Sequence, residues 1–147
     1  MTNIHRVCSK SEDETKTLAA QMAGDILPVT VIALFGDLGT GKTIFSKGFA
    51  SGLGVEDHVG SPTFKLISEY SGRETNLYHI DCYRMRGSDD FLNIGGEFFL
   101  HPIDGITLIE WANIIQDLLP DDTITIQFER VPKKPTERII SFDGWNR

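Results

Sequence analysis

The octapeptide Gly36-Asp37-Leu38-Gly39-Thr40-Gly41-Lys42-Thr43 constrains this chain more than any other segment. It matches the pattern G-x-x-x-x-G-K-[ST] in full. Glycines at 36, 39 and 41 open backbone conformations closed to other residues, so that successive N–H groups, including those of Asp37, Leu38 and Thr40, can converge on phosphate oxygens. Upstream, Thr30 to Phe35 (TVIALF) is a nearly continuous apolar run rich in β-branched residues, the pattern of a strand buried on both faces. Downstream, Phe45, Phe49 and Leu53 recur at helical spacing, and Gly54 ends that helix. A glycine turn joining a strand to a helix is the plainer reading of these residues. The full match in the required strand–loop–helix context favours a phosphate cradle instead. In such a cradle the helix start adds unpaired N–H groups and its positive dipole end. Lys42 supplies a point charge to the β- and γ-phosphates, and the Thr43 hydroxyl is a Mg²⁺ ligand.

The metal site of a bound nucleoside triphosphate calls for an acid as well. The buried run Ile106 to Ile109 ends in Glu110 and Trp111. In open α/β sheets ligands sit beyond the carboxyl ends of strands, so an acid there can face Mg²⁺ directly or through water. A surface acid opening the next helix is the alternative for Glu110, and an ordinary core residue is the alternative for Trp111. Ser61-Pro62-Thr63 is a polar, proline-stiffened stretch before a strand, either a switch in which Thr63 meets the γ-phosphate or a plain turn. His79-Ile80-Asp81-Cys82-Tyr83-Arg84 packs four reactive side chains into six residues, and strand alternation puts His79 and Asp81 on one face. Asp81 could orient an attacking or metal-bound water and Arg84 could neutralise phosphate charge. A hairpin end with a surface ion pair explains the same residues equally well.

Ser11 and Glu14 have capping-box spacing, opening a helix whose Leu18, Met22 and Ile26 form one buried face before Pro28 stops it. Lys65–Tyr70 and Leu77–Asp81 flank Ser71-Gly72-Arg73 as a hairpin. Short helical pieces interrupted by Gly95-Gly96 are expected over 88–99, then a helix from the end of the Ile106–Ile109 strand through Leu118. Two last strands fall near Thr123–Phe128 and Arg138–Phe142. Strands mixed with helices predict an α/β fold: a P-loop NTPase-like sandwich with a mixed, partly antiparallel central sheet, residues 1–147 forming a single domain.

In order and separation, GDLGTGKT, SPTFKLISEY, YHIDCYR and LIEWA resemble the TsaE (YjeE) family, small bacterial ATPases required for the threonylcarbamoyl modification of the adenosine beside the tRNA anticodon. The similarity runs from the helix at Glu14 to the strand near Ile126. It implies an ATPase using ATP and Mg²⁺, with Lys42 on phosphate, Thr43 and Glu110 on the metal, and Thr63 and Asp81 in two switch-like loops near the γ-phosphate. Trp111 would lie close to the nucleotide, and the adenine pocket would draw on Glu14-Thr15 and on the C-terminal strands at Arg138. The family usually has Leu where Cys82 and Met85 stand, changes that keep size and apolarity. The resemblance also implies TsaD and TsaB homologues as partners, with ATP hydrolysis timing their complex.

Composition narrows the rivals. A chain of 147 residues with 40% hydrophobic and 24% charged residues can bury a core. Its net charge of −7 opposes direct binding to a nucleic-acid backbone, where neutralising phosphates supplies most of the affinity. No run approaches the length of a membrane span, and the first eleven residues lack a signal's apolar core, so a cytoplasmic protein is expected. Cys8 and Cys82 form no C-x-x-C pair and are expected as reduced thiols. A P-loop small-molecule or nucleoside kinase is the alternative, but its lid would need clustered arginines and the seven here are dispersed. A GTPase is disfavoured because Asp57-x-x-Gly60 ends no apolar strand and no N-K-x-D occurs.

Overall fold

The computed structural model describes residues 4–57, 59 and 66–145. Seven strands form one mixed sheet: β1 (Ile4–Ser9), β2 (Val31–Phe35), β3 (Ile67–Ser71), β4 (Asn76–Asp81), β5 (Gly105–Glu110), β6 (Ile124–Val131) and β7 (Lys134–Asp143). Their spatial order is β1-β7-β6-β2-β5-β4-β3. The centre is parallel, with β2 between β5 and β6 and with β4 beside β5. Both margins are antiparallel, through β3 on β4 and through β7 on β6 and β1. The expected α/β fold with a mixed sheet is therefore the observed one.

Helices cover the two faces. Helix α1 (Glu12–Asp25) and helix α2 (Lys42–Gly52) lie on one face, where Leu18, Met22, Phe45 and Phe49 pack on Ile32, Leu34, Leu108 and Ile126. Helix α3 (Ser88–Asn93), helix α4 (Glu97–Leu100) and a 3-10 segment (Ala112–Leu118) lie on the other, where Phe91, Leu100 and Ile115 meet Ala33, Ile80 and Ile109. Residues of β2 alternate between these two cores, which is why TVIALF reads as continuously apolar.

α1 and α2 touch backbone to backbone. A Cβ on Gly48 would stand 2.5 Å from the Lys16 carbonyl oxygen, and one on Gly52 would stand 2.6 Å from that of Ala20. These glycines, one helical turn apart, bring the start of α1 alongside the glycine loop. Ser11 caps α1 by accepting the Glu14 N–H at 3.1 Å. The Glu14 carboxylate accepts the Lys10 N–H at 2.6 Å, so the cap closes one residue earlier than the standard box.

Three expectations are corrected. β1 was not anticipated; its pattern of exposed and half-buried residues carries no apolar alternation, and it exists by pairing with β7 from Ile4↔Asp143 to Ser9↔Arg138. The helix expected through Leu118 is 3-10, because Trp111 takes a left-handed conformation (φ 56°, ψ 41°) and Ile115 is non-helical (φ −118°, ψ 25°). The last two strands are longer than expected and form a hairpin around Pro132 and Lys133, with Lys133 at φ 65°. Thr63, with the rest of the Ser61-Pro62-Thr63 stretch, lies outside the described residues.

Candidate active site

The parallel register gathers the site at the carboxyl edge of the sheet. Leu34 pairs with Glu110 and Asp81 pairs with Glu110, so the entry to the glycine loop and the two acids sit on adjacent strand ends. Neighbouring strands lie about 4.8 Å apart, which brings the acids within reach of one bound group. The glycine loop turns on Gly36 (φ 147°), Gly39 (φ 76°) and Gly41 (φ 106°). A Cβ at Gly36 would stand 2.8 Å from the Phe128 carbonyl oxygen, so glycine is required there on both counts. Within the loop, the Thr40 hydroxyl donates to the Asp37 carbonyl at 2.7 Å, closing its crest.

Gly41 opens α2 with no side-chain cap and no acid in the first turn. The first N–H groups of this helix therefore keep their positive potential for a ligand. Lys42 is 5% exposed, and its Nζ donates to the Gly36 carbonyl and, at 3.4 Å, to that of Asp37. The same Nζ stands 3.7 Å from the centroid of the Trp111 ring. Burial holds the Lys42 pKa below that of an ordinary lysine, while Glu110, Asp81 and Asp37 pull it back up. The left-handed backbone of Trp111 aims its ring over the ammonium, and the exposed Tyr83 ring lies tilted against it with centroids 4.9 Å apart.

Glu110 is 2% exposed and occupied by three donors. Thr43 Oγ1 donates to its Oε1 at 3.2 Å, Ser46 Oγ to its Oε2 at 3.4 Å, and His79 Nε2 meets Oε2 at 2.6 Å. The surface-acid alternative for Glu110 is thereby removed. Asp81, also buried, accepts the Tyr83 N–H at 2.9 Å and lines the same cavity. Arg84 is exposed and does not line it. Among the described residues no three His, Cys, Asp or Glu side chains converge as a metal cage. Hard oxygen donors at Thr43 and Glu110 fit Mg²⁺, which usually takes one or two protein ligands and completes its shell with phosphate and water.

The cavity measures about 660 Å³, within the range of small-ligand sites. One end is the loop with Lys42, Thr43, Asp81, Glu110 and Trp111; Leu38, Gly39 and Gly41 also line it. Its far end is made by Ser11, Glu12 and Thr15 from α1 and by Pro135, Thr136 and Arg138 from β7. Thr15 is buried and its hydroxyl lies 2.7 Å from that of Ser9. Glu14 is turned to Lys10 and does not line the cavity, whereas Ser11, Glu12, Pro135 and Thr136 do and were not named for the site from sequence. Arg130 was also missed. It faces Arg138 across the β6–β7 ladder, a like-charge pair that would repel. Both guanidinium groups instead donate to the loop, Arg130 to the Leu38 carbonyl and Arg138 to that of Gly39 at 3.2 Å.

A glycine loop between a central strand and a helix, with an acid ending the adjacent parallel strand, defines a P-loop NTPase-like nucleotide-binding fold. Residues 9–140 match the family model described as Threonylcarbamoyl adenosine biosynthesis protein TsaE, and the chain belongs to that family. A Bacillus subtilis (strain 168) protein named tRNA threonylcarbamoyladenosine biosynthesis protein TsaE is 42% identical over 130 residues, covering 88% of this chain and 79% of that one. The Treponema pallidum (strain Nichols) protein of the same name is 38% identical over 121 residues, covering 82% and 88%. The crystal structure of Bacillus subtilis YdiB superposes with a TM-score of 0.78 at 37% identity, over 97% of this chain and 86% of that one. Among the described residues no helix is long and apolar enough to cross a membrane.

Proposed function

We propose that this protein is a Mg²⁺-dependent ATPase acting in the threonylcarbamoyl modification of tRNA, as an ATP-driven switch on a TsaB–TsaD pair. The convergence of Lys42, Thr43 and Glu110 at the phosphate end of one cavity carries this reading. The names of the relatives supply the pathway. Hydrolysis transfers the γ-phosphoryl group of ATP to water, breaking its bond to the β-phosphate bridge oxygen and leaving ADP and phosphate. Lys42 exchanges its bonds to the Gly36 and Asp37 carbonyls for the β- and γ-phosphates, and the N–H groups of the loop bind the remaining oxygens. Thr43 and Glu110 would hold Mg²⁺, which would supply neutralisation of phosphate charge. Asp81 would accept a hydrogen bond from the attacking water and orient it. Thr63 has the switch role next to the γ-phosphate on the strength of its sequence motif alone.

Thr15 and Arg138 border the base end, with Trp111 close to the phosphates. The names of the relatives favour the switch over a small-molecule kinase. Binding titrations with ATP, ADP and GTP test the base preference, ATP being expected to bind tightest. Steady-state ATP hydrolysis measured alone and with TsaB plus TsaD tests the cycle. Faster turnover with the pair is expected, and equal rates would sink the partner-dependent switch. Tight tRNA binding by this chain alone would contradict what its −7 charge predicts.

A further inference from the structure

His79 is wholly buried in β4, two residues before Asp81 and on the same face. Its Nε2 lies 2.6 Å from Glu110 Oε2, while its buried Nδ1 has no hydrogen-bond partner among the described residues. A bare ring nitrogen tolerates such isolation better than an N–H, so the proton belongs on Nε2, donated to the carboxylate. An apolar side chain would fill this core position without an isolated ring nitrogen, which makes packing alone a poor account of the residue. The two oxygens of Glu110 thus have different company. Oε2 faces His79 and Ser46, both buried; Oε1 faces Thr43 at the cavity.

We propose that His79 is a positioning residue for Glu110: by engaging Oε2 it fixes the carboxylate plane and leaves Oε1, beside Thr43, as the oxygen available to the metal. A glutamate carboxylate otherwise rotates broadly about its last torsion and could turn toward the Lys42 ammonium. Partners one bond removed from a metal ligand typically change metal affinity about 10- to 100-fold. The inference rests on the magnesium–nucleotide reading of the site.

The test is calorimetric titration with ATP in excess Mg²⁺ and again in EDTA, comparing wild type, His79→Leu and His79→Gln. The ratio of the two affinities measures how much the metal tightens binding. His79→Leu should lose about tenfold or more of that tightening with its EDTA affinity unchanged. His79→Gln, whose amide N–H can occupy the place of Nε2, should stay within about threefold of wild type. If His79→Leu does not fold, His79→Asn replaces it, since its amide reaches only the Nδ1 position. Wild-type tightening in the donor-less variant overturns the proposal, and so does an equal loss in the glutamine variant. A wild-type protein that shows no Mg²⁺ tightening would instead bring down the magnesium reading itself, whatever the variants do.

Discussion

Two helices begin at the same cavity and begin in opposite ways. α1 starts with Ser11 accepting a backbone N–H and with Glu12, Asp13 and Glu14 in its first turn. Its positive end is capped and neutralised by its own residues. α2 starts at Gly41 with neither cap nor acid, and its first side chain is a lysine. Positive potential is cancelled at one terminus and concentrated at the other, a few residues of cavity wall away. An anion has one place to go. The capped terminus, with Thr15 behind it, offers the cavity polar contact without positive charge.

Removing the lysine should do most to break this asymmetry. Lys42→Ala is expected to lose at least about 100-fold in ATP affinity, with hydrolysis at background, in a binding titration and a phosphate-release assay. Glu110→Ala should also abolish hydrolysis; near-normal turnover would move the metal to Asp81. Because burial lowers the Lys42 pKa, the ammonium is lost at a lower pH than in a free lysine. ATP affinity should accordingly fall as pH rises into the alkaline range, before ordinary lysines titrate, and Lys42→Arg should remove that dependence. The contact between the helices comes next. Gly48→Val would force its side chain into the Lys16 backbone, costing about 3 kcal/mol and lowering Tm by about 5–10 °C. If the folded variant keeps its affinity for inorganic triphosphate and loses discrimination between ATP and GTP, α1 supplies the base end only. The smallest effect belongs to the capped terminus: Ser11→Ala should cost about 1 kcal/mol in denaturant unfolding and leave triphosphate affinity unchanged. A tenfold loss of triphosphate affinity there would show that both termini serve the anion.

The two termini were also unequally legible. The open one is written in eight consecutive residues, because a backbone that must curl around phosphate demands glycine at fixed intervals. Glu110, ending a buried apolar run, and Asp81, at the end of a hairpin strand, could be picked out because strand ends can be read locally, each beside a plainer surface alternative. The far end could not be read this way. Pro135 and Thr136 reach the cavity only because β7 pairs with β6 across a tight turn, and β1 exists only through its register with β7. The second of these pairings joins residues from opposite ends of the chain and leaves no local periodicity. Gly48-x-x-x-Gly52 was the overlooked signal: small residues one turn apart on a helix announce a close neighbour, without saying which. His79 carried a partial signal, sharing a strand face with Asp81, but its contact with Glu110 needed the register of β4 on β5.

Trp111 stands where its backbone would favour glycine or asparagine. A bulky residue in the left-handed region gives up about 1–2 kcal/mol that another residue would retain. Glycine there would relieve that strain but would give up the ring's packing on the core and against Tyr83 and its contact with the Lys42 ammonium. At this position the strained backbone and the contacts of the ring come together, and neither can be removed without the other.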